Sequence, residues 1–240
     1  MPKITAIQTI RTRAAGRWVI VKVLTDQPGL YGIGSASDHY HSSTVITAIE
    51  TIAPLLIGRE AGHIEDNWQS VYTHGYWRNG SILNTALAGI DMALWDIKGK
   101  EAGMPVYQLL GGPTRAAVLA YAHAGGKDLV ELEDDVRRYM AEGYQVIRCQ
   151  LGNYGGGGFI PGGEAGQPKN AAPLERVFDD EAYLKNIPEM FAHLRDNIGF
   201  GPKLTHDVHE HLRPHNAVAL AKLLEPYRLF FLEDLLSPEQ

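Results

Sequence analysis

Sulfur chemistry is scarce in this 240-residue chain, which carries one cysteine, Cys149. A single thiol permits no internal disulfide and no multi-cysteine metal cluster, in keeping with a reducing compartment. Its position in the apolar run Val146 to Leu151 reads as a buried structural thiol. No stretch approaches the roughly 18 uninterrupted apolar residues of a membrane span. The start, MPKITAIQTIRTRAAGR, has no basic-then-apolar signal pattern. Neither a membrane nor export is expected, and the cytoplasm is the default location. Lys/Arg-rich runs are also missing. With a net charge of -6 and a pI near 5.9 there is no electrostatic reason to bind a phosphate backbone, so nucleic acid is not expected as a partner.

What is present is an ordinary globular composition, 45% hydrophobic and 21% charged, enough for one large domain or two modest ones. The first hundred residues read as an antiparallel meander followed by helices. Lys3 to Arg13, Arg17 to Thr25 and Gly29 to Gly34 are β-rich. From Ser43 the apolar spacing becomes helical, with a break expected at Pro54. Ile64 opens another helix, and Ile82 to Lys100 carries Ala86, Ile90, Ala93, Leu94 and Ile97 on one stripe. Trp68, Trp77 and Trp95 fall in these helical segments, with Trp68 and Trp95 read as core. After Gly111-Gly112-Pro113 strands and helices alternate: strands at Val118 to Tyr121, Gln145 to Leu151, Lys203 to His206 and Leu229 to Leu232, with helices at Leu129 to Glu142, near Glu181 to Asn197, and at Asn216 to Leu224. Repeated βα units imply a parallel sheet, in the order of the first half of a (β/α) barrel. An open doubly wound sheet fits the same pattern. The glycine-rich stretch from Gly155 to Gly166 lacks the Gly-Lys-Ser/Thr ending of a phosphate loop and reads as a loop after the second strand.

In a parallel barrel, chemistry sits where strands end, and each strand here ends in a polar group. His123 closes the first strand, Arg148 and Gln150 lie on the second, Asp207 and His209 close the third, and Glu233 and Asp234 the fourth. Asp207 and Glu233 lie 26 positions apart, about one βα unit, so both carboxylates should emerge at the same end of neighbouring strands. Oxygen donors of this kind suit magnesium before zinc. Such a cation could bind a substrate carboxylate and stabilise the enediolate left when an α-proton departs. Asp207 and Glu233 could equally be strand-end residues capping the following helices. His206, His209, His211 and His215 suggest zinc by composition, but they lack the paired-histidine helical motif. His209 would share the pleat direction of Asp207 if the strand continues, and could then act as general acid or base.

Several segments resemble the enolase superfamily: Tyr76-Trp77-Arg78-Asn79-Gly80, Gly89 to Lys98, and Gly103-Met104-Pro105 through Gly112. With Ile147 to Gly152, His206-Asp207-Val208-His209-Glu210 and Phe231-Leu232-Glu233-Asp234, they are similar to the mannonate dehydratase branch, most of all its starvation-sensing group. That resemblance implies an α+β capping domain over residues 1–112, then the first half of a (β/α)7β barrel over 113–240, its C-terminal half missing. It also implies Mg2+ bound by Asp207 and Glu233, His209 as the acid that expels the β-hydroxyl, Arg148 as partner of a basic tyrosine, and His123 contacting substrate. The implied reaction is dehydration of a sugar acid such as D-mannonate or D-gluconate to a 2-keto-3-deoxy acid, by a protein expected to be a homo-oligomer when full length.

Departures accompany the likeness. His39 stands where efficient mannonate dehydratases carry asparagine. The tyrosine expected about a dozen residues after Arg148 is missing, with Tyr154 the nearest substitute. The Lys-x-Lys pattern of racemases is absent from strand two. A third metal ligand would lie beyond Gln240, so residues 1–240 alone are expected to be inactive and poorly soluble. A non-catalytic sugar-acid binding or regulatory protein on the same fold is the alternative.

Overall fold

A computed structural model describes residues 1–12, 18–38, 41–152 and 178–237. The chain divides into two compact units, Met1–Ala116 and Ala117–Gln240. In the first, β1 (Ile4–Arg11), β2 (Val19–Thr25) and β3 (Tyr31–Ser35) form an antiparallel meander in chain order. Alternation in the central strand turns Val19, Val21 and Val23 fully inward, as a half-covered sheet requires.

Four helices follow: α1 (Ser42–Leu56), α2 (Ile64–His74), α3 (Ser81–Ala102) and the short α4 (Val106–Leu109). The expected break at Pro54 does not occur, because Pro54 sits in the last turn of α1, where a lost N–H and a crowded carbonyl disturb only one turn. The stripe Ala86, Ile90, Ala93, Leu94 and Ile97 of α3 is buried in the core. Gly103, at φ 66°, ends α3 in the left-handed conformation that glycine reaches at no steric cost. Close approach of α3 to the sheet depends on glycine as well: a Cβ on Gly32 would collide with the carbonyl of Ala93, and one on Gly34 with that of Gly89. Trp68 stacks on Tyr72 at 4.7 Å and Trp95 packs on the core. Trp77, expected in a helix, lies past the end of α2 and is 86% exposed.

The second unit alternates β4 (Tyr121–Gly126), α5 (Leu129–Ala141), β5 (Val146–Leu151), α6 (Asp180–Ile198), β6 (Lys203–Asp207), α7 (Pro214–Leu224) and β7 (Leu232–Glu233). The four strands are parallel and ordered β4-β5-β6-β7. Each strand lies beside its neighbour in sequence, whereas a doubly wound sheet reverses its order at a switch point. The order is that of the first half of a (β/α) barrel.

Two strands differ from expectation. Val118 is 78% exposed and outside any strand, and β4 begins only at Tyr121, where pairing with Val146 becomes possible. His123 therefore lies inside β4 rather than at its end. The fourth strand is confined to Leu232–Glu233, the residues in register with His206 and Asp207. Against the helices, Ala124, Ile147, Cys149 and Leu204 pack on Leu132 and Val136 of α5 and on Tyr183, Ile187, Met190, Phe191 and Leu194 of α6. Each side chain of leucine or phenylalanine size buried this way contributes roughly 1.5–3 kcal/mol.

Candidate functional site

Strand alternation puts the next residues along on the opposite face. Register aligns His123 with Arg148 and Thr205, Gly125 with Gln150, and Asp207 with Glu233. Tyr121, His123, Arg148, Gln150, Thr205, Asp207 and Glu233 accordingly share the face turned away from the helices.

Their contacts form a chain across the strands. The Arg148 guanidinium donates to Nδ1 of His123 at 3.0 Å and to Oε1 of Gln150 at 3.1 Å, and lies 3.7 Å from Oδ2 of Asp207. A guanidinium only donates, so Nδ1 of His123 accepts and its proton sits on Nε2. Burial, and next the Arg148 charge, push the His123 pKa down, which keeps the ring neutral. His123 stacks on Tyr121 with ring centroids 5.1 Å apart. The Tyr121 hydroxyl reaches both oxygens of Glu233, at 3.0 and 3.1 Å. Burial first, then the bond to Glu233, raise its pKa, so the phenol is a donor here.

At Asp207 the strand stops. His209 adopts a left-handed backbone, φ 53°, and so does Glu210, φ 60°. The expectation that His209 follows the pleat of Asp207 is therefore not met, because β6 ends two residues earlier. The turn nevertheless brings His209 back: its N–H donates to Oδ1 of Asp207 at 2.9 Å, and its Nε2 lies 2.5 Å from Oδ2. Burial of Asp207 opposes ionisation, but the hydrogen bonds from His209 and the charge of Arg148 outweigh it and hold the carboxyl below its ordinary range.

The other histidines of the cluster have different surroundings. His206 points toward the helices, its Nδ1–H donating to the carbonyl of Cys149 at 2.8 Å and its Nε2 accepting from the Tyr183 hydroxyl at 2.6 Å. Burial pushes its pKa down to about 4. Both ring nitrogens are engaged, so His206 has none to give a metal. His211 stacks on Phe178 at 4.7 Å, and His215 is exposed in the first turn of α7. Among the described residues no group of three His, Cys, Asp or Glu side chains converges as a metal site. The two carboxylates side by side in register, one held ionised, fit a hard cation that takes one or two protein carboxylates and completes its octahedron with water and substrate.

Arg148 Nε and Gln150 Nε2 are buried without partners on this face, two donors suited to a hydroxylated or anionic ligand. Capping does not account for Asp207: the side chain of Asp128 caps α5 and that of Asp179 caps α6, whereas α7, the helix after Asp207, starts at Pro214 with no side-chain cap. Two candidates, His39 and Tyr154, lie outside the described residues. Sequence reasoning missed Tyr121 altogether, since its partner is 112 residues away and no local spacing reports the contact. No described helix is long and apolar enough to cross a membrane.

Residues 2–111 match the mandelate racemase / muconate lactonizing enzyme N-terminal domain. Over the whole chain, a D-galactonate dehydratase family member from Paenibacillus sp. (strain JDR-2) is 62% identical, the alignment covering 59% of that protein. A D-mannonate dehydratase from Rhizorhabdus wittichii is 43% identical over 99% of this chain and 60% of its own length. Among solved structures, an enolase from Pantoea ananatis with bound D-gluconate and Mg superposes with a TM-score of 0.87 at 49% identity, covering 100% of this chain and 61% of that one. The chain thus spans about 60% of the length of the curated relatives it matches.

Proposed function

Because this chain belongs to the enolase superfamily, we propose that it supplies two magnesium carboxylates, an acid and a substrate-binding face to an acid-sugar dehydratase. The observation that carries the reading is the in-register pair Asp207 and Glu233, flanked on the same face by Arg148 and next to His209. In such a reaction a base takes the proton α to the carboxylate, the β C–O bond breaks with transfer of a proton to the leaving hydroxyl, and the enol product tautomerises to a 2-keto-3-deoxy acid. Mg2+, when bound, would offset negative charge on the substrate carboxylate. Asp207 and Glu233 would hold it. His209 would hold a proton at Nε2, which lies beside Asp207, and give it to the departing hydroxyl. Arg148 and Gln150 would bind the hydroxylated chain through their unpartnered donors, with His123 fixed beside them by Arg148 and Tyr121. His39 and Tyr154 are proposed as further substrate and catalytic contacts on the sequence resemblance alone.

D-Mannonate and D-gluconate are the proposed substrates; relatives named for galactonate and mannonate and a structure holding D-gluconate support the substrate class. A cytoplasmic homo-oligomer completes the reading, its location supported by the single buried thiol.

The test is to incubate the full-length protein and its Glu233→Gln variant with Mg2+ and a panel of sugar acids and to measure keto-acid. Product from the parent and its loss in the variant are expected. Equal turnover by both would refute the metal assignment. Binding of Mg2+ and sugar acid with no keto-acid from any substrate would favour the sugar-acid binding or regulatory protein instead.

A further inference from the structure

We propose that Tyr121 is a positioning residue that fixes the carboxylate of Glu233 for metal binding; the inference rests on the metal reading above. A glutamate side chain has three rotatable torsions, and a ligand carboxylate left to itself loses that freedom when a cation binds. Glu233 sits at the end of a strand of two residues, so backbone pairing alone does little to orient it. The Tyr121 hydroxyl supplies the constraint from the strand at the other edge of the sheet, at 3.0 and 3.1 Å from the two oxygens. A phenol has one proton and donates to one oxygen at a time. The oxygen that does not take that proton keeps its lone pairs for a cation held jointly with the in-register neighbour, Asp207. An outer partner of this kind orients a ligand and sets its basicity, and its loss costs roughly 10–100-fold in metal affinity.

Tyr121 is itself held firmly. Its ring lies nearly parallel to that of His123, with an interplanar angle of 9°, and meets the edge of Phe231 at 6.0 Å. His123 is in turn fixed by Arg148, which approaches Asp207. One residue thereby links both proposed metal ligands to the proposed substrate contact. Two roles can be separated by substitution: Tyr121→Phe removes the hydroxyl and keeps the stack, while Tyr121→Leu removes both.

The experiment titrates Mn2+ into the full-length protein without substrate, by electron paramagnetic resonance or calorimetry, for the parent, Tyr121→Phe, Glu233→Gln and the double variant. Unfolding is followed in parallel in EDTA. The expected result is a loss of Mn2+ affinity of about 10–100-fold in Tyr121→Phe, with an unfolding midpoint in EDTA within about 2 °C of the parent. The double variant should bind no worse than Glu233→Gln, since the hydroxyl acts only through that carboxylate. Tyr121→Leu should match Tyr121→Phe in Mn2+ affinity and in addition raise the KM for the sugar acid. Mn2+ affinity in Tyr121→Phe within about twofold of the parent would overturn the proposal, as would a further drop in the double variant equal to that of Tyr121→Phe alone, which marks independent effects. If the parent binds no Mn2+, the metal reading itself falls, and this inference with it.

Discussion

The two faces of the four-stranded sheet differ as sharply as two surfaces of one element can. Toward the helices stand Ala124, Ile147, Cys149 and Leu204, all buried in an apolar cluster. On the other face stand Tyr121, His123, Arg148, Gln150, Thr205, Asp207 and Glu233, several of them linked by hydrogen bonds and by the approach of Arg148 to Asp207. A parallel sheet is ordinarily apolar on both sides, because both are covered. A row of polar groups there, with two acids in register and two donors without partners, weakens folding, and that cost is what the proposed function accounts for. Substitutions should therefore divide by face, those toward the helices lowering stability and those on the polar face lowering binding or turnover.

The largest effect is expected on the apolar side. Phe191 is fully buried between the edge of His206 and the ring of Tyr227. Phe191→Ala should lower the unfolding free energy of the full-length protein by about 3–5 kcal/mol in urea titrations. The comparison would break if the loss were under about 1 kcal/mol, since that is the range of surface substitutions.

On the polar side, Asp207→Asn should lower sugar-acid turnover by about a hundredfold or more, exceeding the range typical of residues that only support a ligand. It should lower the urea midpoint of the metal-free protein only modestly, because asparagine keeps an oxygen to accept from the His209 N–H while losing the charge that faces Arg148. A large fall in stability with turnover preserved would place Asp207 among structural residues and erase the distinction between the faces.

His206 sharpens the comparison, being polar but on the helix side. Its Nε2 accepts from the Tyr183 hydroxyl inside the core. Tyr183→Phe keeps the ring and leaves that buried acceptor unpaired, which should cost about 1–3 kcal/mol of stability. Turnover at saturating Mg2+ should hold within about twofold, well short of the 10–100-fold typical when a residue supporting a metal ligand is lost. A fall in turnover larger than the fall in stability would show that the His206 bond reaches Asp207 and belongs to the working face.

How far the sequence carried can be judged residue by residue. The α3 stripe was legible because 3.6-residue periodicity survives folding unchanged, and so was the burial of Cys149 within a β-rich apolar run. Asp207 and Glu233 were legible as a pair because one βα unit has a nearly fixed length. The start of β4 was not, since Val118 and Leu119 are as β-prone as Tyr121 and only pairing with β5 selects among them. Nor was the return of His209 to Asp207, which needs a left-handed backbone at a residue that rarely adopts it. Tyr121 is the clearest case: its partner is set by the neighbouring strands of a sheet, and nothing within reach along the chain names it.

A further effect, confined to pH above 9, concerns Cys149, on the apolar face beside Arg148. Burial pushes its thiol up to about 12 from 9.0, with the charges of Arg195 and Arg148 pulling the other way. In the unfolded chain the thiol ionises first as pH rises, so between pH 9 and about 12 the unfolded state binds fewer protons and stability falls with pH. Relative to Cys149→Ala, the parent should therefore lose ground across this window, by up to about 1.4 kcal/mol per pH unit. Below pH 9 the difference between the two proteins should be flat. Urea unfolding of both at a series of pH values measures it, and the native thiol should resist alkylation at pH 8 while the denatured one reacts. A parent-minus-variant difference with no slope above pH 9, or rapid native alkylation, would mean that water reaches Cys149 and that the helix-side face is not the sealed layer its packing describes.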